Sequence, residues 1–445
     1  MPPQRAQAPP PQPSSPATTA NPDQSNITIS TTQSDADPAR YQFYGTTFTL
    51  HRVSRLFLGL QLHKVDSTPT LSESRLRTLA QRLRDVLVGD VVRGVEVGLG
   101  ATESSDIDSR NSMGRMGSLE AVVMKRLDAG DLLDVNLERL QEQRSEDDDG
   151  GGGGEDVAVL WASLKGRLEG KQGLAIELVY ENSVCVALLL PDLSSQSSSS
   201  TANRHRGPFL RLPLMLMRMP TALKAVVTEF LAAEFDCKVS PSRIGTRTMV
   251  GGLERWIGTI GMNKMEQKKD MLVALGFNVS PMLPKKKLDE GQEAGGGNGG
   301  HKEKPGLATI DVIIPWQDLS HFVKAGQEIE QDEIERRYEE GGVGYGAKLK
   351  EQREALTGRL AGRLREEGWE WRDKGQQPFT EALAEYTNNI MALKLFHPAV
   401  RVVKVACSGF VMAEGKLKIF ETMDRAAVVD LLGVMCEKAM VQDTE

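Results

Sequence analysis

Cysteine is scarce in this chain: Cys185, Cys237, Cys407 and Cys436 are the only 4 among 445 residues, and no two stand as C-x-x-C. That excludes a disulfide scaffold. Three of the four lie in apolar strand or helix contexts, so buried reduced thiols in a reducing compartment are expected. Aromatics make up only 5 % of the chain, too few for a base-stacking platform interleaved with its cations. The 6 histidines (His51, His63, His205, His301, His321, His397) lie far apart, and none has a ligating neighbour at metal spacing. No apolar run reaches the roughly 20 residues that a bilayer span needs. The opening MPPQRAQAPPPQPSSPATT has no apolar signal core. A basic excess is also missing. A formal net charge of -7 rules out a generally basic nucleic-acid coat and leaves only a local positive face.

What is present is enough apolar matter, 40 % of the residues, to bury a substantial core in two or three domains. Residues 1–40 are Pro/Ser/Thr-rich and read as a disordered tail; Ser15-Pro16 within it is a bare tail dipeptide or a phosphorylation site. An N-terminal α+β region spans 41–283, with polar loops at 144–156 and 194–207. A Lys/Gly-rich linker covers 284–306. A C-terminal α+β region spans 307–445, with a mixed-charge insertion at 328–374. The class is α+β, with largely antiparallel twisted sheets, flanking helices and long disordered insertions.

Periodicity places the elements. Tyr44–Arg52 alternates as a strand. Leu76, Leu79, Leu83, Val86 and Leu87 recur at three and four, the buried stripe of a helix over 72–88. Asp90–Leu99 returns to strand character, and Leu119–Leu127 reads as a strand or, nearly as well, a helix. Leu174–Tyr180 and Val184–Leu190, joined by Glu181-Asn182-Ser183, form a hairpin apolar enough for the centre of a sheet. A helix starts at Pro220 or Thr221 and buries Leu223, Val226, Val227, Phe230 and Leu231. Another spans 248–260. Lys269–Phe277 and Ala308–Ile314 are strands, and Phe379–Phe396 and Asp424–Val441 are helices.

The most informative stretch is Val400–Glu421. Lys416, Leu417, Lys418 and Ile419 alternate polar and apolar, and Ala413-Glu414-Gly415 supplies a short turn in which Gly415 can take positive φ. A ribbon this apolar near a chain end is the last pair of a sheet or a docking edge. The partner-binding candidates are Val403, Val405, Phe410, Leu417, Ile419 and Phe420.

Chemistry is sparse elsewhere. Gly341–Lys348 has the glycines of a phosphate loop, but Ala347 stands where lysine must be and Leu349 follows Lys348, so it reads as a flexible hinge. Cys407 lacks an elbow motif and alternates with core-facing residues, so it reads as a structural thiol; the candidate activating histidine, His397, is near only in sequence. No catalytic residue, cofactor or metal is expected. Lys285, Lys286 and Lys287 read equally as a nuclear-import signal or a solvated charge run. Arg52, Arg55, Arg75, Arg82, Arg84 and Arg93 are candidates for a sequence-blind contact to the DNA backbone, or simply solvate their elements.

Several blocks taken together resemble the fungal CENP-L family of the inner kinetochore: Tyr44–Arg52, Leu83–Gly98, Leu212–Pro220, Phe235–Arg243 and Val403–Phe410, in the family's order. The resemblance implies a non-enzymatic structural subunit in the nucleus, at the centromere and kinetochore. It implies pairing with a CENP-N-type subunit through a strand-rich C-terminal region, contact with other inner-kinetochore proteins, and a positively charged channel near DNA. A sequence-nonspecific DNA-binding chromatin protein with no obligate partner is the alternative. No membrane or small-molecule substrate is expected.

Overall fold

The first strand among the described residues lies in the middle of its sheet. The computed structural model describes residues 42–59, 71–92, 116–135, 164–194, 208–260, 269–277, 308–339, 368–369, 371–372, 377–422 and 424–441. The strands are β1 (Thr47–Val53), β2 (Leu56–Phe57), β3 (Leu119–Asp128), β4 (Gln172–Tyr180), β5 (Ser183–Leu190), β6 (Phe209–Leu210), β7 (Leu214–Arg218), β8 (Val239–Pro241), β9 (Met271–Phe277), β10 (Thr309–Ile314), β11 (Val400–Ala406), β12 (Phe410–Ala413) and β13 (Lys416–Ile419). The helices are α1 (Glu73–Val92), α2 (Ala129–Leu132), α3 (Thr221–Phe235), α4 (Thr246–Ile260), α5 (Trp316–Glu339), α6 (Pro378–Met391) and α7 (Arg425–Val441).

Ten strands run in the order β10-β9-β11-β12-β13-β1-β7-β5-β4-β3, β8 adds to β1 as the eleventh, and β2-β6 forms a separate ribbon. Every pairing is antiparallel. β1 joins the two regions read from the sequence: Phe48 faces Leu417 of β13, and Leu50 faces Leu216 of β7. The chain from Tyr41 onward gathers into one unit.

Two cores lie on opposite faces of this sheet. On one face, Leu76, Leu79, Leu83 and Leu87 of α1 and the expected stripe of α3 pack on Ile176, Leu178, Leu189, Met215 and Met217. On the other, α4, α5, α6 and α7 pack on Phe48, Leu50, Val273, Val405, Phe410, Leu417 and their neighbours. Each such side chain, fully buried, contributes about 1.5–3 kcal/mol. β5 and β7 are covered on both sides, which is why Leu188-Leu189-Leu190 and Leu214-Met215-Leu216-Met217 read as unbroken apolar runs.

Three local readings need correction. α1 runs through Val92, so the strand expected from Asp90 begins as helix, and its remainder lies outside the described residues. Val86 is 41 % exposed and not part of the α1 stripe. The β4–β5 hairpin lies toward the β3 end of the sheet, not at its centre.

One buried polar network ties distant segments together. Arg167, 5 % exposed, donates to the carbonyls of Leu193 (2.8 Å) and Val429 (2.9 Å) and pairs with Asp430. Asp430 also accepts from Thr259 Oγ1 at 2.6 Å. The network links the 164–168 helical turn, the segment after β5, α4 and α7. The Asp430 side chain is 23 % exposed, so removing it costs less than the roughly 3–5 kcal/mol of a fully buried pair.

Candidate partner interface

Val400–Glu421 forms three strands with the expected turn, and Gly415 takes a φ of 72°. It is not a docking edge. β13 is paired by β1 and β11 by β9, so the chain's own backbone occupies both sides of the ribbon. Val405, Phe410, Leu417 and Ile419 are 0–3 % exposed and belong to the α4/α7 core. Phe410 packs edge-on against Trp256 at 5.2 Å. Val403 and Phe420 are half-buried. The misreading has a physical cause: alternation reports that one face of a strand is wet, and says nothing about whether its backbone is paired.

Among the described residues the ends of the sheet are β10 and β3. The phase of β10 follows from one bond: Phe277 N donates to the Ala308 carbonyl at 3.0 Å, and the register pairs Thr309 with Gly276 and Asp311 with Ala274. In an antiparallel ladder, hydrogen-bonded and non-hydrogen-bonded pairs alternate. Ile310, Val312 and Ile314 therefore bond to β9, and the N–H and C=O groups of Thr309, Asp311 and Ile313 point away from the sheet. The side chains of Thr309, Asp311 and Ile313 are exposed, Ile313 by 61 %. α5 begins just after this edge at Trp316, 37 % exposed. α6 packs on α5 through Phe322 and Tyr386 (5.3 Å between rings) and exposes Tyr386, Ile390 and Met391.

Among the described residues the strands from β13 to β10 carry helices on one face only; their other face presents Lys404, Lys416 and Lys418. One register row runs Asp311, Ala274, Lys404, Ala413, Lys416, Thr49, and the next runs Ile313, Leu272, Ala406, Val411, Lys418, Thr47. Lys269 and Lys418 both stand over the Phe420 ring, at 5.4 and 5.3 Å. Arg401 pairs with Glu414 at 3.7 Å. Half-burial, and then Lys416 nearby, push the Lys224 ammonium below its usual range; His51 is likewise pushed down by burial and by Lys224.

A family model described as "CENP-L: Centromere protein L" matches residues 42–440. The chain belongs to the CENP-L family. It is accordingly a centromere and kinetochore protein. No curated protein sequence matches it.

Of the arginines named as DNA candidates in this CENP-L chain, three lie on α1 and two on or just after β1. Arg75 donates to the Leu58 carbonyl at 2.5 Å, and Arg82 pairs with Glu234 at 2.9 Å; both line an open cleft with Ser72, Ser74 and Thr78. Arg84 is exposed on the same helix. Arg52 donates to Ser240 Oγ at 2.6 Å, and Arg55 is exposed just after β1. Arg93 and Lys285–Lys287 lie outside the described residues. All four cysteines are free and buried, and burial pushes the Cys407 thiol up to about 11 and that of Cys436 up to about 12. No cluster able to hold a metal occurs among the described residues.

Sequence reasoning passed over the β10 edge and the Lys404/Lys416/Lys418 face. The second had a visible signal: lysines at alternate positions in β13 mark one face of a strand as open.

Proposed function

We propose that this chain is a non-enzymatic structural subunit of the inner kinetochore in the nucleus, pairing with a CENP-N-type subunit and supporting kinetochore assembly and chromosome segregation. The observation that carries the pairing is the outer side of β10. Its outward backbone groups are joined at the same edge by exposed Ile313 and Trp316, and an edge of this kind is completed by an added strand. The docking role therefore moves from the Val400–Phe420 ribbon to the other end of the C-terminal strands. The family membership supports the setting, and contacts to further inner-kinetochore proteins belong to the same proposal. Co-expression with the CENP-N-type counterpart is expected to give a one-to-one complex in size-exclusion chromatography with light scattering. A well-behaved monomer that ignores the counterpart would overturn the reading.

The open face favours a second reading, in which the protein contacts the DNA backbone by itself and without sequence preference. Lys404, Lys416, Lys418 and Lys269 crowd one face, and like charges crowded together favour a bound polyanion. Binding to duplexes of unrelated sequence should then be equal and steeply salt-dependent. Lys416→Glu with Lys418→Glu should flatten the log–log slope by about 0.9 for each phosphate that is no longer neutralised. Flat, weak binding by the wild-type chain removes DNA from the account.

A further inference from the structure

We infer that Asp311 makes the β10 edge selective for a foreign strand bearing a cation, and against a second copy of this chain. The inference rests on the reading of β10 as a docking edge. Its starting point is the register: only Thr309, Asp311 and Ile313 turn their N–H and C=O groups outward, and Asp311 is the middle one.

A closed twofold dimer joined edge to edge brings β10 antiparallel to its own copy. For all three outward residues to bond, Thr309 must face the copy's Ile313, and Asp311 must then face the copy's Asp311. Hydrogen-bonded residues across such a pair stand about 5.5 Å apart at Cα, and like charges directly opposite are destabilising. Slipping the copies by two residues separates the carboxylates but leaves one outward residue of each strand unbonded. Self-pairing thus meets either repulsion or a shortened ladder.

A partner strand faces no such choice. Asp311 is exposed, and its neighbour on β9 in the same row is the small Ala274. An arginine or lysine opposite Asp311, with an apolar residue opposite exposed Ile313, completes the row and keeps every outward bond. Asp311 therefore acts by attraction to one class of strand and by repulsion of the other, as specific interfaces do.

The test uses the full chain at low ionic strength, by sedimentation over a concentration series, alone and with its CENP-N-type counterpart. Asp311→Asn should tighten self-association by about fivefold, the upper range of a cross-strand pair. Asp311→Lys should weaken the heterodimer by a similar factor, and added salt should narrow both differences. Unchanged self-association in Asp311→Asn, or unchanged partner affinity in Asp311→Lys, overturns the role of Asp311. Ile313→Pro removes an outward N–H without breaking a bond to β9, so it should abolish pairing while the melting temperature holds. Thr309→Pro, at the first residue of the strand, is the second such block should Ile313→Pro unfold. Retention of the heterodimer by a folded proline variant would sink the docking edge itself, whatever Asp311 does.

Discussion

Two stretches of the sheet solve burial differently. At β7 and β5 both faces are dry, with α1 and α3 on one and α7 with its neighbours on the other, and the strands are apolar without interruption. From β13 to β10 the helices among the described residues cover the face under α4, α5, α6 and α7, and on the other face lysines occupy alternate positions of β13. Under the proposed function, this half of the sheet is the one that a partner completes.

The strongest way to break this comparison is to charge the dry side of the open half. Leu417 and Ile419 are 2 % and 3 % exposed, and Leu417 faces Phe48 across the junction with β1. Leu417→Asp with Ile419→Asp buries two unpaired carboxylates and should cost more than about 4 kcal/mol. Because β1 also pairs with β7, the loss should spread into the N-terminal strands and not stop at a partner surface. Circular dichroism should show one cooperative transition lost. A variant whose N-terminal half still melts normally would show that the two halves are independent.

Gly409 probes the same core more gently. A Cβ built there would lie far inside contact distance of Cζ2 of Trp256, whose indole is fully buried against Phe410. Rigid aromatic atoms cannot yield that far, so Gly409→Ala should cost about 3 kcal/mol by overpacking. Lys416→Ala, on the open face of the same strands, should stay within about 0.5 kcal/mol. Equal melting temperatures for Gly409→Ala and wild type would mean that α4 is not seated on β12 as described.

Much of this was legible in the sequence, and the limits were physical. Local signals found the strands and helices: the 3.6 spacing of Leu76, Leu79 and Leu83, the apolar run Val184–Leu190, and Gly415 in its turn. The resemblance of five spaced blocks found the family. What failed was order in the sheet. Nothing in Lys416-Leu417-Lys418-Ile419 states that Thr47–Thr49, from the far end of the chain, lies against it, so an internal hairpin looked like a terminal one. The site moved for the same reason. β10 looks like any strand until β9 is known to flank it on one side alone, and the Arg75 and Arg82 side chains look free until Leu58 and Glu234 are placed beside them.

The smallest effect concerns how the open half holds its outer helix. α3 starts at Thr221, after Pro220, with no side-chain cap, whereas α6 borrows one from another helix: Glu254 of α4 accepts from Thr380 N (2.8 Å), Thr380 Oγ1 (2.6 Å) and Phe379 N (3.3 Å). Burial is the largest influence on this carboxyl and raises its pKa above the ordinary value, with the hydrogen bonds from Thr380 and Phe379 opposing. A proton held more tightly in the folded state contributes stability that is complete below the ordinary pKa and is lost as pH rises through the raised one. Glu254→Gln keeps an acceptor and has no proton to lose. The melting temperature of wild type minus that of Glu254→Gln should therefore fall as pH is raised from acid toward neutrality. A difference that grows with pH instead would mean that the ionised carboxylate is the form the cap favours, and that the three donors outweigh its burial.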